Sequence, residues 1–211
     1  MDNFKIEQKR ELAEVKILLN MMKKKTTSKQ QFTFVALKPD SVNLTAINVV
    51  MKILNDNGYK VVFHAPAVYD EDNVRAHYQE IYTKYRYEGK CKFYPELEEY
   101  LTRGPIYGLV IQGENAVKGV KKLCGDTSNP ASGTMRNMLF KAYNLEYDKN
   151  ENGIHASGEV DEAKREIVNF ISAVLQNNKR LGESQKYTSS MQAIVDCVNE
   201  YDVNNVNVKE C

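Results

Sequence analysis

Gln31-Phe32-Thr33-Phe34-Val35-Ala36-Leu37-Lys38-Pro39-Asp40-Ser41 is the stretch that decides the fold class. Phe32 to Leu37 is β-branched and aromatic, which is the composition of a strand. Lys38-Pro39-Asp40-Ser41 then stops the strand with turn chemistry. Immediately beyond, the apolar period changes. Ile47, Val50, Met51 and Leu54 recur at helical spacing, and Gly58 stands where a helix closes through a left-handed residue. The same alternation continues downstream. Residues 59–69 read as a second strand and residues 70–82 as a helix. Residues 83–92, rich in Lys, Tyr and Gly, read as an inserted loop. A short helix over 96–101, the breaker Gly104-Pro105, a third strand over 106–111 and a helix over 115–124 follow. Residues 125–135 are loop-like, with Asn129-Pro130 and Ser132-Gly133 as breakers. A short helix and an irregular polar segment then lead to Asn152-Gly153-Ile154-His155, an expected fourth strand, and a last helix from 159 to about 175. Strands alternating with helices give an α/β or α+β sandwich, a sheet covered by helices. Element order alone permits a parallel sheet as well as an antiparallel one.

Outside this block the patterning weakens. Leu12, Val15, Leu19 and Met22 predict one helix over residues 3–25, followed by Lys23-Lys24-Lys25 and a polar linker. Met191, Ile194, Val195 and Val198 allow one more helix near the other end. The expected organisation is an N-terminal helical extension and linker (1–30), one domain (31–175) and a C-terminal extension (176–211).

Bulk composition narrows the function. Of 211 residues, 42% are hydrophobic and 27% charged, enough to build a core. Lys+Arg 29 against Asp+Glu 28 leaves a net charge of +1, which gives no general pull toward nucleic acid or anionic membrane. No apolar run is long enough to span a bilayer, and acidic residues near the N-terminus argue against a transit peptide. Cys91, Cys124, Cys197 and Cys211 form no CxxC pair, so reduced thiols in a cytoplasmic protein are expected. Neither GxxxxGK[ST] nor GxGxxG is present, which excludes the common glycine-loop kinases and dinucleotide folds.

Three histidines remain as candidates for chemistry. His64 lies in a strand pattern and His77 on a helix beside Tyr78, and both read as structural or solvent-facing. His155 sits among small and polar residues, Asn152-Gly153-Ile154-His155-Ala156-Ser157-Gly158, which leave room for a ring to meet a ligand. Taken alone it is as readily an ordinary loop histidine.

Four segments in one order change that weighing: Thr33 to Asp40, Arg103-Gly104-Pro105, Gly125-Asp126-Thr127 through Thr134-Met135-Arg136, and Asn152 to Ser157. With Gly113-Glu114-Asn115 and Ala163-Lys164-Arg165-Glu166-Ile167, they resemble the nucleoside diphosphate kinase family over about two-thirds of the chain. The resemblance implies a ferredoxin-like fold, with an antiparallel four-stranded sheet covered by helices. It implies that His155 carries the phosphoryl group between a nucleoside triphosphate and a nucleoside diphosphate. Glu166 would hold the other ring nitrogen, supported by Ser157. Lys38 and Tyr78 would contact the transferring group. Asn152 would bind the ribose and Phe93 would stack on the base with Leu97 alongside. Thr127, Arg136 and Lys121 would hold phosphates. Mg2+ would ride on the nucleotide, and the chain would form a homo-oligomer, a hexamer or a tetramer. The chain departs from the family at Ser41 and Lys121, where the family has glycine and arginine, and at Ala156, where it has glycine. A turn at Ser41 with positive φ would strain a serine. Two other activities fit the same residues: a histidine phosphotransferase acting on a protein, and a nucleotide-binding regulator or scaffold with little turnover.

Overall fold

The structure is a computed structural model that describes residues 30–143 and 150–180. The expected N-terminal helix and C-terminal extension lie outside the described residues. In chain order the elements are β1 (Gln30–Leu37), a 3-10 turn (Pro39–Ser41), α1 (Leu44–Asp56), β2 (Lys60–Ala67), α2 (Glu71–His77), α3 (Gln79–Glu88), α4 (Tyr94–Thr102), β3 (Ile106–Glu114), α5 (Ala116–Cys124), α6 (Met135–Tyr143), β4 (Ile154–Ala156) and α7 (Val160–Arg180). The sheet order is β2-β3-β1-β4, and every neighbouring pair is antiparallel. β1 and β2 therefore run the same way with β3 between them, the ferredoxin-like arrangement of a split βαβ unit.

The period of two along β1 divides the core between the two faces of the sheet. Phe32, Phe34 and Ala36 join Val74, Leu101, Ile167, Phe170 and Ile171 on one face. Val35 and Leu37 join Val50, Leu54, Val120, Met135 and Leu139 on the other. Local chemistry fixes the helix ends. The Asn43 side chain accepts the Ala46 N–H at 2.9 Å to start α1, and Gly58 (φ 80°) follows its end as expected. Asp70 and Asn73 form a reciprocal capping box at α2. Gly108 on β3 lets the Phe170 ring lie against the strand, because a Cβ there would come within 2.4 Å of that ring.

Two expectations are corrected. Residues 83–88, expected in an inserted loop over 83–92, are helical. Tyr82 and Tyr85 pack on Tyr94 with ring centroids 5.2 and 5.4 Å apart, and that aromatic packing outweighs the loop-like composition until Gly89 (φ 64°) ends α3. The single helix expected over 70–82 is broken at Tyr78 (φ −103°, ψ 36°), which separates α2 from α3. Ser41 lies in the 3-10 turn, buried, and is not among the positive-φ residues, so the replaced glycine costs no backbone strain there.

Candidate active site

The short edge strand β4 carries His155, paired with Ala36 of β1. Beside it Lys38 directly follows β1, and its backbone N–H donates to the Gly153 carbonyl at 2.8 Å. The strand that opens the domain and the loop before the histidine are thus one hydrogen-bonded unit. Asp40 reinforces it: Oδ2 accepts the Gly153 N–H at 3.1 Å, and Oδ1 accepts the Tyr100 hydroxyl at 2.6 Å.

α7 delivers Glu166 beneath the ring. Glu166 Oε1 lies 2.9 Å from His155 Nε2, and Glu166 Oε2 accepts the Ser157 hydroxyl at 2.6 Å. The Nε2–Oε1 separation is short, but the N–H is not in line with the oxygen, and neither atom has a hydrogen bond in this arrangement. The proximity is a close polar contact that a small ring rotation turns into a hydrogen bond. Glu166 has no exposure, whereas His155 keeps 12%, and Nε2 itself is sealed from solvent. The accessible part of the ring is therefore away from Glu166, on the side that bears Nδ1.

Cations gather close enough to the ring for their charges to act on it. Lys38 is buried; its Nζ donates to Asn152 Oδ1 at 2.9 Å and to the Asn150 carbonyl at 3.1 Å. Arg136, near the start of α6, donates from Nη1 to the Asn152 carbonyl and, at 2.6 Å, to Asn152 Oδ1. Its Nη2 reaches Cys124 Sγ at 3.5 Å. Lys121, on α5, donates to the Ala156 carbonyl at 2.7 Å. Tyr78 stands edge-on to His155 with centroids 5.6 Å apart.

The electrostatics follow from burial and these neighbours. Burial, with Arg136 nearby, pushes the Lys38 ammonium down to about 7. Burial and then the charges of Lys121 and Lys38 hold His155 well below its ordinary range, so its imidazole is a free base at neutral pH. Burial raises Glu166, opposed by His77 and by the Ser157 hydrogen bond. Burial raises the Tyr78 phenol, which keeps its proton.

The structure brings together His155, Glu166, Ser157, Lys38, Tyr78, Lys121, Arg136 and Asn152. Three further expected residues are placed by their elements. Phe93 is 37% exposed, at the N-cap of α4, and Leu97 one turn on is buried in the core. Thr127 is exposed on the loop after Gly125. Sequence reasoning passed over His77, whose Nε2 lies 3.5 Å from Glu166 Oε1, and Asp40. Its adjacency to Tyr78 was the available signal for His77. Asp40 was visible only as part of a turn.

The donor set also bears on metal. Lys38, Lys121 and Arg136 bring positive charge to bear on the ring, and the Glu166 carboxylate is turned to His155 Nε2. Such a pocket fits a polyanion that brings its own cation better than a protein-held ion. Among the described residues no helix is long and apolar enough to cross a membrane.

Comparison with known proteins gives the same picture. A family model described as nucleoside diphosphate kinase matches residues 31–174. A nucleoside diphosphate kinase from Methanocorpusculum labreanum is 34% identical over 159 residues, covering 74% of this chain and 97% of that protein. A Borrelia burgdorferi nucleoside-diphosphate kinase solved as a transition-state mimic with bound vanadate and ADP superposes with a TM-score of 0.58 at 27% identity, covering 68% of this chain and 88% of that one. A Halobacterium salinarum nucleoside diphosphate kinase in complex with CDP superposes with a TM-score of 0.55 at 30% identity, covering 67% and 87%.

Proposed function

This chain belongs to the nucleoside diphosphate kinase family of phosphotransferases, and from that premise we propose that it moves the γ-phosphoryl group of a nucleoside triphosphate to a nucleoside diphosphate through phosphorylated His155. The observation that carries the reading is the asymmetry of that ring: Nε2 is sealed 2.9 Å from Glu166 while the ring keeps 12% exposure, and the charges of Lys121, Lys38 and Arg136 act on it.

In the first half-reaction the Nδ1 lone pair attacks the γ-phosphorus. The bond from that phosphorus to the β,γ-bridging oxygen breaks, and the diphosphate departs with the electron pair. In the second, a terminal oxygen of the acceptor diphosphate attacks the same phosphorus and the P–N bond breaks. Splitting one transfer into two gives ping-pong kinetics. The neutral imidazole is competent without prior deprotonation, and Glu166 steadies the positive charge that appears on the phosphorylated ring. Phosphoryl transfer needs positioning and charge neutralisation. Lys38 and Arg136, which share Asn152 Oδ1, exchange that partner for phosphate oxygens, and Tyr78, Lys121 and Thr127 complete the clamp. Asn152 addresses the ribose. Phe93 offers a π-face to any base, and Leu97 backs it. Mg2+, held by the nucleotide phosphates, supplies further charge neutralisation when bound.

The protein acts as a homo-oligomer, a hexamer or a tetramer, in a cytoplasmic compartment that keeps Cys91 and Cys124 as free thiols. Light scattering after size exclusion tests the assembly, and a monomer alone refutes it.

The reaction is tested by incubating the protein with γ-labelled ATP and no acceptor. Acid-labile, base-stable label is expected, absent in His155→Ala and discharged by GDP. Label that persists in His155→Ala overturns the proposal. Discharge to a protein but to no nucleoside diphosphate makes the chain a protein histidine phosphotransferase. Nucleotide binding without label makes it a regulator.

A further inference from the structure

The proposed mechanism uses His155 and Glu166 and leaves His77 unused, yet His77 is only 3% exposed and lies against both. Its ring stands edge-on to His155 with centroids 4.7 Å apart, and it packs on Phe34, Tyr69 and Tyr78. Glu166 Oε1 sits between two imidazole nitrogens, 2.9 Å from His155 Nε2 and 3.5 Å from His77 Nε2. That oxygen is buried and has no aligned hydrogen bond, a costly condition unless a donor is within a small rotation. Both rings are within that reach.

Proton counting assigns the roles. A neutral imidazole has one N–H and one lone pair. Burial pushes His77 down to about 3, so it is neutral at working pH. Its Nδ1 faces the buried Tyr69 hydroxyl at 3.4 Å. Burial holds the proton on that phenol, and the Tyr69 O–H donates to His77 Nδ1. The His77 proton then sits on Nε2, aimed at Glu166. Ser157 holds the other carboxylate oxygen. Glu166 thus has a donor bonded at Oε2 and a second within a small rotation of Oε1 before His155 reacts. Its preferred claim on the His155 ring is an N–H at Nε2, which leaves the lone pair at Nδ1.

We infer that His77 is a positioning residue for the phosphoryl-transfer step, acting through Glu166 to hold His155 in the tautomer whose Nδ1 is free. The inference rests on the proposed role of His155 as nucleophile. Tyr69 extends the same chain of donors outward.

Three variants test it in the full-length protein. His77→Gln keeps an N–H donor near the Nε2 position, His77→Asn does not reach it, and His77→Phe removes it. The readouts are single-turnover labelling from γ-labelled ATP, kcat and KM, and 15N NMR of the His155 ring. The expected result is labelling slowed about 10- to 100-fold in His77→Asn and His77→Phe, with KM within twofold. His77→Gln should label within about threefold of wild type, and the His155 spectrum should move toward the Nδ1–H tautomer only in the two impaired variants. If His77→Phe does not fold, the Gln and Asn pair still decides. Equal labelling rates in Gln and Asn, or an unchanged His155 tautomer in a slow variant, overturn the inference. Wild-type protein that takes no label at His155 would instead refute the nucleophile, so the two failures are distinguishable.

Discussion

Gly153→Ala is the sharpest structural perturbation of the site that leaves every proposed contact residue in place. Gly153 has φ 71°, and a Cβ there would stand 2.8 Å from Ser41 Oγ. An L-residue in left-handed backbone costs about 1–2 kcal/mol, and forcing a methyl into packed space costs about 1–3 kcal/mol. The expected destabilisation is therefore about 2–5 kcal/mol, read as a lower urea midpoint at unchanged m-value. The kinetic effect is larger than stability alone implies. Gly153 bonds Lys38 through its carbonyl and Asp40 through its N–H, and His155 is two residues on. Displacing that loop by about 1 Å misaligns nucleophile and lysine together, which lowers kcat about 10²-fold. Adding Ser41→Gly removes the clash and leaves the backbone cost, so the double variant should recover about 1–3 kcal/mol of stability. Gly153→Ala within about 0.5 kcal/mol of wild type and within about twofold in kcat would refute the reasoning. So would a Ser41→Gly change that fails to relieve it.

Two further outcomes follow from the same geometry. Lys38, held at about 7, is largely neutral at pH 8, and phosphate binding draws it back to the charged form, so nucleotide binding should take up most of one proton. Affinity must then fall as pH rises from 7.5 to 9, where the terminal phosphate is already ionised; calorimetry in buffers of differing ionisation enthalpy reads the uptake, and zero uptake contradicts it. Phe93→Ala should raise KM about tenfold for purine and pyrimidine nucleotides alike, from a stacking contribution of about 1–3 kcal/mol per base, with kcat preserved. A loss confined to one base would show hydrogen-bond readout instead of stacking.

Much of this architecture is legible along the chain, and the parts that are not have physical causes. β1 and α1 are readable because each carries a clean apolar period of its own, and Asn43 and Gly58 mark α1 at its ends. The antiparallel order β2-β3-β1-β4 is not, since strand pairing is a long-range fact that element order leaves open; only the family resemblance supplied it. α3 was hidden because its stability comes from Tyr82 and Tyr85 on Tyr94, a contact invisible in local composition. At the site, His155, Lys38, Asn152 and Arg136 carry motif spacing, and the fold brings them together. His77 carries none. Its place beside Glu166 is created by α2 packing on α7, across 89 positions of sequence by their numbering. Asp40 was read as a turn residue, and its bond to Gly153 spans 113 positions.

The central claim concerns which nitrogen of one ring is free, and the site of phosphate attachment tests it directly. Phosphoenzyme prepared with γ-labelled ATP and read by 31P and 15N NMR should carry the phosphoryl group on Nδ1 of His155, with Nε2 protonated toward Glu166. Phosphate on Nε2, or on any residue other than His155, would contradict the account.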